Sequence, residues 1–327
     1  MLADAVFEGG GVKGIGLVGA VVEAEARGYR WSHLAGTSAG AIVASLLAAG
    51  YTGRELARIL KGVDYRQFRD PSPLGRVPLV GPPLSLLWGR GLYMGRAFEE
   101  WLEGLLAAKG VRTFGDLLTP SHLLVDGEKG DERYRYRLRV VASDLTHGRM
   151  LVLPQDIGRY GYDPDRLPVA RAVRMSMSIP FFYWPVYVHP REGAGAGGAG
   201  TPGVIVDGGL LSNYPVWLFD SPGPPPWPTF GFRLVEPGSG RPRRITGTIS
   251  LLAAMVSTML EAHDARYVEE KDFVRTIAIP TLGVNTTDFD ISPARAEALF
   301  NAGRQAAARF LDAWDFAHYV RRYRIPA

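Results

Sequence analysis

Cysteine is absent from the 327-residue sequence, and this excludes disulfide bonds, thiolate metal sites and a cysteine nucleophile. Long apolar runs are absent as well, because no hydrophobic stretch approaches the ~20 residues that a helix needs to cross a bilayer. The charge excess is small: 37 basic and 33 acidic side chains give a formal net charge of +4. That excess is too weak for a nucleic-acid footprint, so we expect no nucleic-acid partner.

The composition is that of a folded globular protein, with 46% hydrophobic and 21% charged residues. The sequence contains no internal repeat and no linker, and we therefore expect a single domain over residues 1–327. The few residues before the first glycine motif leave no room for a signal peptide, which predicts a cytoplasmic protein or one peripheral on a membrane. No cluster of metal-ligating residues is recognisable, so we expect neither a metal nor a cofactor.

The first 50 residues repeat one pattern twice: a short strand, a glycine turn and a helix. An apolar run at 3–7 and a glycine loop at 8–14 precede a helix predicted over 15–27. A second strand at Trp31–Ala35 leads through Gly36–Gly40 into a helix that ends at Gly50. This repetition is typical of a parallel α/β sheet with right-handed crossovers.

The glycine loop contains Gly9, Gly10, Gly11, Lys13 and Gly14. The spacing satisfies the G-x-G-x-x-G fingerprint of dinucleotide-binding proteins, but the end of the second strand lacks the acidic residue that would hold the ribose. A Walker loop is excluded because glycine, not serine or threonine, follows the lysine. Independently of either motif, glycines at a helix N-terminus present backbone N–H groups to an anion.

Ser38 lies in the sequence Gly36-Thr37-Ser38-Ala39-Gly40, which has the G-x-S-x-G pattern of a nucleophile elbow. A serine on a sharp turn between strand and helix projects its hydroxyl, and the flanking glycines let the two backbones cross closely. The helix N-terminus also favours negative charge on the serine oxygen. The alternative is a serine that only caps the helix.

Asp207 follows the apolar strand Val204–Val206 and precedes Gly208 and Gly209. The alternative interpretation is a hairpin turn, which Asp-Gly commonly forms. If the strands before Ser38 and Asp207 are parallel, their carboxyl ends lie at one edge of the sheet, where both side chains and the glycine loop would meet.

These three motifs, in this order, resemble the patatin-like phospholipase family. Further segments are similar to it: Gly91–Tyr93, Thr113–Leu117, Ala142–Thr146, Arg171–Pro180 and Asn213–Val216. The resemblance is strongest over residues 3–235, and residues 292–327 are expected to form a C-terminal helical extension. It implies a three-layer α/β/α fold with a central, mostly parallel sheet.

The resemblance also implies a reaction, the hydrolysis of fatty-acyl esters in phospholipids or other lipids by a serine–aspartate dyad, with transient contact to a membrane surface. Ser38 would be the nucleophile, Asp207 the general base, and the backbone of Gly9–Gly11 the oxyanion hole. Lys13, Gly14, Gly36, Gly40, Gly208 and Gly209 would support the motifs. Burial is expected to raise the pKa of Asp207.

Three alternatives remain open at the level of the sequence. The chain could be a catalytically idle lipid-binding or scaffold protein on the same fold, or a dinucleotide-binding enzyme. A serine–histidine triad would need a histidine after Asp207, and only His263 and His318 follow it; both lie in predicted helices.

Four segments outside the motifs carry predictions of their own. Residues 71–92 are interpreted as a mobile flap over an acyl site, and residues 180–185 as an aromatic segment of the core or of a membrane interface. The glycine-rich stretch 192–203 is expected at a hairpin tip. A helical pattern covers residues 246–270.

Overall fold

The structure is a computed structural model that describes residues 1–72, 85–86, 90–124, 130–191, 200–221, 223–236, 245–247, 254–255, 258, 270–286, 288 and 290–324. Most of the expected flap at 71–92, most of the glycine-rich stretch 192–203 and most of the helical pattern at 246–270 lie outside these residues.

The described strands are β1 (Leu2–Phe7), β2 (Arg30–Thr37), β3 (Gly91–Tyr93), β4 (Leu138–Asp144), β5 (Arg149–Leu153), β6 (Phe181–Tyr183), β7 (Val186–Val188), β8 (Gly203–Asp207), β9 (Thr229–Val235) and β10 (Thr276–Pro280). Eight of them form one sheet in the order β10-β9-β1-β2-β4-β8-β7, with β5 also paired to β4. β3 and β6 form a separate two-stranded parallel sheet.

The described helices are α1 (Gly14–Ala26), α2 (Ala39–Ala48), α3 (Gly53–Gly62), α4 (Arg96–Ala108), α5 (Val169–Ser176), α6 (Glu270–Val274), α7 (Pro293–Ala313) and α8 (Phe316–Tyr323). Most of their apolar residues join one large buried cluster with alternate residues of the strands, such as Ala5 and Phe7 of β1. The intervening Val6 faces the opposite side of the sheet, where Tyr134, Leu218 and Phe219 cover it. The mixed α/β sheet flanked by helical elements confirms the expected fold class.

The five strands from β10 to β4 are parallel to their neighbours, as the repeated strand–turn–helix pattern predicts. The other pairs, β4–β5, β4–β8 and β7–β8, are antiparallel. The parallel orientation considered for the strand before Asp207 is therefore wrong. β4 begins at Leu138, and Tyr134 before it ends a short 3-10 helix.

The C-terminal helix α7 packs closely against α1. A Cβ placed on Gly19 of α1 would lie 2.0 Å from the carbonyl oxygen of Phe300, and one on Gly303 of α7 would lie 1.9 Å from that of Gly16. The two backbones can approach this closely only because side chains are missing at the crossing. The region expected to be a helical extension thus covers the first helix and contributes Leu299 and Ala307 to the core.

Within the described residues, no helix combines the length and the apolar character that crossing a membrane requires.

Candidate active site

The site forms where two strands end against β4. Thr37, the last residue of β2, is paired with Val141 of β4. Asp207, the last residue of β8, is paired with the next residue of β4, Ala142. Because β2 and β8 approach from opposite directions and β5 occupies the other edge of β4, their carboxyl ends meet end to end. The meeting brings residue 38 and residue 207 together although β8 is antiparallel.

Ser38 has the strained conformation of a nucleophile elbow, with φ 52° and ψ −123° at the N-terminus of α2. The turn is so tight that both flanking positions require glycine. A Cβ on Gly36 would lie 2.4 Å from the Gly40 carbonyl oxygen, and one on Gly40 would lie 2.3 Å from that of Phe7. The Ser38 side chain makes no capping hydrogen bond to α2. Ser38 is therefore the N-cap residue of α2 by position, but its side chain does not cap the helix.

Asp207 is almost completely buried, with 1% of its surface exposed. Its Oδ1 accepts a hydrogen bond of 2.8 Å from the N–H of Gly209, in a short 3-10 helix over Gly208–Leu210 rather than in the hairpin considered above. Burial raises the pKa of Asp207 from 3.8 to about 6, although hydrogen bonds from the Ser38 hydroxyl and the Gly209 amide oppose the increase. The direction agrees with the expectation from the sequence.

The second carboxylate oxygen of Asp207, Oδ2, is buried. Among the described residues, Oδ2 has no hydrogen-bond partner of regular geometry. The Ser38 hydroxyl is nevertheless close enough to influence the ionisation of the carboxyl group. The two groups are therefore neighbours in a site where Ser38 itself is only 5% exposed.

The glycine loop lies beside this pair. A Cβ on Gly9 would be 3.1 Å from Cβ of Ser38. The N–H of Gly9 donates to the carbonyl of Asn213 at 3.1 Å, so it is not free to bind an anion. The amides of Gly10 and Gly11 have no acceptor among the described residues. Gly11, at φ +55°, is in a conformation that favours glycine.

The remaining motif residues contribute to packing. A Cβ on Gly208 would lie 2.2 Å from the Val141 carbonyl oxygen, and one on Gly14 would lie 3.3 Å from Cβ of Ala39. Lys13, at the end of a 3-10 helix over Gly11–Lys13, is partly exposed.

Two residues that support the glycine loop were assigned no specific role from the sequence. The Nδ2 of Asn213 lies 3.3 Å from the Gly9 carbonyl oxygen and 3.5 Å from Oε1 of Glu8. The other carboxylate oxygen of Glu8 accepts the N–H of Leu234 on β9. In the sequence, Asn213 belongs only to the segment Asn213–Val216 that resembles the family, and Glu8 only to the glycine loop at 8–14, so no local signal pointed to this contact.

The histidines of the described residues do not complete a triad with Ser38 and Asp207. His147 pairs with the buried Asp144, at 2.8 Å between Nδ1 and Oδ2. His318 lies in α8, where its amide is capped by Asp315, and His263 lies outside the described residues.

The aromatic segment 180–185 is divided between core and surface. Tyr183 is buried at 1% exposure, whereas Phe181 is 38% exposed. A cavity of about 490 Å³ opens beside this segment, lined by Trp184 and Tyr187 together with charged residues of α4 and α5. Neither Ser38 nor Asp207 lines that cavity.

Fold and site together define an α/β protein with a serine on a nucleophile elbow, an aspartate beside it and a glycine loop in which two amides have no acceptor among the described residues. The family model "Patatin-like phospholipase" matches residues 5–220. The chain therefore belongs to the patatin-like phospholipase family, a family of lipid hydrolases.

The chain is also similar to individual proteins. The uncharacterized protein YqhO of Bacillus subtilis (strain 168) is 40% identical over 321 residues, which cover 97% of this chain and 100% of YqhO. The uncharacterized protein R571 of Acanthamoeba polyphaga mimivirus is 26% identical over 223 residues, 67% of this chain and 62% of R571. The crystal structure of VipD from Legionella pneumophila is similar in fold, with a TM-score of 0.57 at 18% identity over 95% of this chain and 67% of VipD.

Proposed function

We propose that this protein is a serine lipid acyl hydrolase of the phospholipase A or lysophospholipase type, with Ser38 as nucleophile and Asp207 as general base. The observation that carries the proposal is the end-to-end meeting of β2 and β8 on β4, which makes the Ser38 hydroxyl and the buried Asp207 carboxyl group neighbours. The reaction class follows the family, whose members act on lipids.

In the acylation step, the Ser38 oxygen attacks the ester carbonyl while Asp207 accepts the hydroxyl proton. An ordinary carboxylate is a weak base for an alcohol, but a pKa of about 6 makes the Asp207 carboxylate a stronger one that is still largely ionised at neutral pH. The N-terminus of α2 favours the negative charge that develops on Ser38. Collapse of the tetrahedral intermediate expels the lipid alcohol, which takes the proton from Asp207.

The amides of Gly10 and Gly11, which have no acceptor in the part of the chain that the structure describes, are the proposed oxyanion donors. Gly9 supports this loop because its N–H is bonded to the carbonyl of Asn213. Removing one donor of this kind typically costs about 3–4 kcal/mol of transition-state stabilisation. In deacylation, Asp207 takes a proton from water, the resulting hydroxide attacks the acyl-serine, and the proton returns to Ser38 as the fatty acid leaves.

Long-chain acyl esters reside in lipid aggregates, so the protein is proposed to contact a membrane surface transiently. Phe181 is a candidate for that contact because it is an exposed aromatic residue on the segment 180–185. Aromatic side chains are favoured at the interface between membrane and water.

The test combines covalent labelling and product analysis. The wild-type protein is expected to react with a fluorophosphonate at Ser38 and to release fatty acid from phospholipid vesicles, whereas Ser38→Ala is expected to do neither. A folded wild-type protein that is not labelled and releases no fatty acid would favour the idle lipid-binding alternative. NADH binding by the wild-type protein would instead favour a dinucleotide-binding enzyme.

A further inference from the structure

We infer that Ser176 is a positioning residue that fixes the backbone of the nucleophile Ser38; this inference rests on the proposed function. Ser176 is the last residue of α5 and is completely buried, at 0% exposure. Its hydroxyl is hydrogen-bonded to the backbone of both β4 and the elbow, so its role is not limited to filling space in the core.

The direction of its two hydrogen bonds is fixed by chemistry. The Val141 carbonyl can only accept, so the Ser176 hydroxyl donates its one proton to that oxygen, at 2.5 Å. The Ser176 oxygen then accepts the N–H of Ser38, at 2.8 Å. Val141 is the β4 residue paired with Thr37. One buried hydroxyl thus connects the strand on which β2 ends to the amide of the nucleophile.

The same turn also holds the proposed base. Two residues after Ser176, the carbonyl of Ser178 accepts the N–H of Asp207 at 2.9 Å. The Ser178 hydroxyl in turn bonds to Arg174, which is 2% exposed and also donates to the carbonyls of Gly95 at 3.1 Å and Trp184 at 2.8 Å. The turn 176–178 is therefore anchored on one side and contacts both proposed catalytic residues on the other.

The contact matters because Ser38 is strained. A non-glycine residue at φ 52° persists only when surrounding contacts over-determine it. Without the Ser176 hydroxyl, the buried N–H of Ser38 loses its acceptor, and the elbow can relax and turn the hydroxyl away from Asp207. Because a misplacement of about 1 Å can cost roughly 100-fold in rate, we expect Ser176→Ala to lower kcat about 30- to 100-fold, with KM changed less than about 3-fold.

Ser45 provides a matched control. It is also 0% exposed, lies on the same helix as the elbow, and donates to a backbone carbonyl, that of Ile42, at 2.9 Å. Ser45→Ala therefore removes the same atoms and a similar hydrogen bond without touching Ser38, and kcat is expected to stay within about 2-fold of the wild type. Ser176→Thr keeps the hydroxyl and should recover at least about 10-fold of the loss caused by Ser176→Ala.

The experiment measures kcat and KM on phospholipid vesicles, the rate of fluorophosphonate labelling, and hydrogen exchange of the Ser38 amide. Slower labelling with unchanged KM in Ser176→Ala, together with faster exchange at Ser38, supports the inference. Wild-type kcat and wild-type exchange in Ser176→Ala overturn it. An equal loss of kcat in Ser45→Ala also overturns it, because the removal of any buried serine hydroxyl would then explain the effect.

Hydrogen exchange separates failure of this inference from failure of the proposed function. If the wild-type protein is neither labelled nor active, the proposed function fails, and exchange at Ser38 in Ser176→Ala still decides whether Ser176 fixes the elbow. Should Ser176→Ala not fold, Ser176→Cys keeps the shape of the side chain, with a larger sulfur atom in place of the oxygen, and weakens both hydrogen bonds. The same measurements on that variant then decide whether Ser176 fixes the elbow.

Discussion

Replacing Asp207 with asparagine is expected to abolish activity and to stabilise the fold. The amide of asparagine can still accept the Gly209 N–H, but it cannot take a proton from Ser38. We expect hydrolysis to fall about 10²- to 10⁴-fold, the usual contribution of a general base. In the wild type, kcat/KM should rise with pH through about 6 as the carboxyl group ionises, and then level off.

The gain in stability follows from the raised pKa. Well below pH 3.8 the carboxyl group is protonated in both the folded and the unfolded state, so its burial is not penalised. As the pH rises from about 4 to about 6, the carboxyl group ionises in the unfolded state but not in the folded state, because burial has raised its pKa from 3.8 to about 6. Stability therefore falls over this range, and the loss is complete above about pH 6. At about 1.4 kcal/mol per unit, the penalty at pH 8 approaches 3 kcal/mol. Asp207→Asn removes the charge and should recover most of it.

The measurement is the free energy of unfolding in urea at pH 4 and at pH 8. Asp144→Asn is the matched control, because Asp144 is equally buried, at 0% exposure. Burial by itself raises the pKa of Asp144, but hydrogen bonds from Tyr160 and His147 outweigh it and hold the pKa below its ordinary value. Its stabilising effect is therefore present near neutral pH and is lost on acidification, so Asp144→Asn should destabilise the protein at pH 8.

The two variants should thus shift stability in opposite directions at pH 8 and converge towards the wild type at low pH. An Asp207→Asn variant that is destabilised equally at pH 4 and pH 8 would refute the reasoning. A wild-type rate profile that is flat between pH 5 and pH 8 would refute the assignment of Asp207 as the base.

Three further predictions concern other parts of the chain. Gly11→Ala should abolish activity in a folded protein, because its Cβ would lie 2.0 Å from the Thr286 carbonyl oxygen beside the free amides; retained fatty-acid release would contradict this. Gly19→Ala should lower the melting temperature by separating α1 from α7, whereas Gly104→Ala, in α4 with open space around its Cβ, should raise it slightly, through a gain in stability of about 0.5–1 kcal/mol. His263→Ala and His318→Ala should both hydrolyse esters like the wild type; a large loss in either would revive the histidine triad.

The local parts of the site could be predicted from the sequence because short-range chemistry specifies them. Glycines two residues on either side of Ser38 predict the elbow, and the observed turn has no room for a Cβ at Gly36 or Gly40. Apolar strands followed by glycine turns and helices predict the parallel part of the sheet. The order of the motifs was enough to indicate the family, which the match over residues 5–220 shows.

The contacts between distant segments could not be predicted in this way. A strand's sequence carries the same alternation whichever way it runs, so nothing in Val204–Val206 indicated that β8 is antiparallel to β4. Ser176 likewise resembles any small residue at the end of a helix until Val141 and the Ser38 amide are placed beside it.

The sequence by itself determined which side chains are suited to the chemistry and the turns that present them, since these depend on neighbouring residues. Only the tertiary structure decided that β2 and β8 end at adjacent residues of β4 and that the Gly9 amide is already bonded to Asn213. It also decided how deeply Asp207 is buried. Strand register and burial depend on the packing of the whole chain, and the raised pKa of Asp207 exists only once that packing has removed water from its carboxyl group.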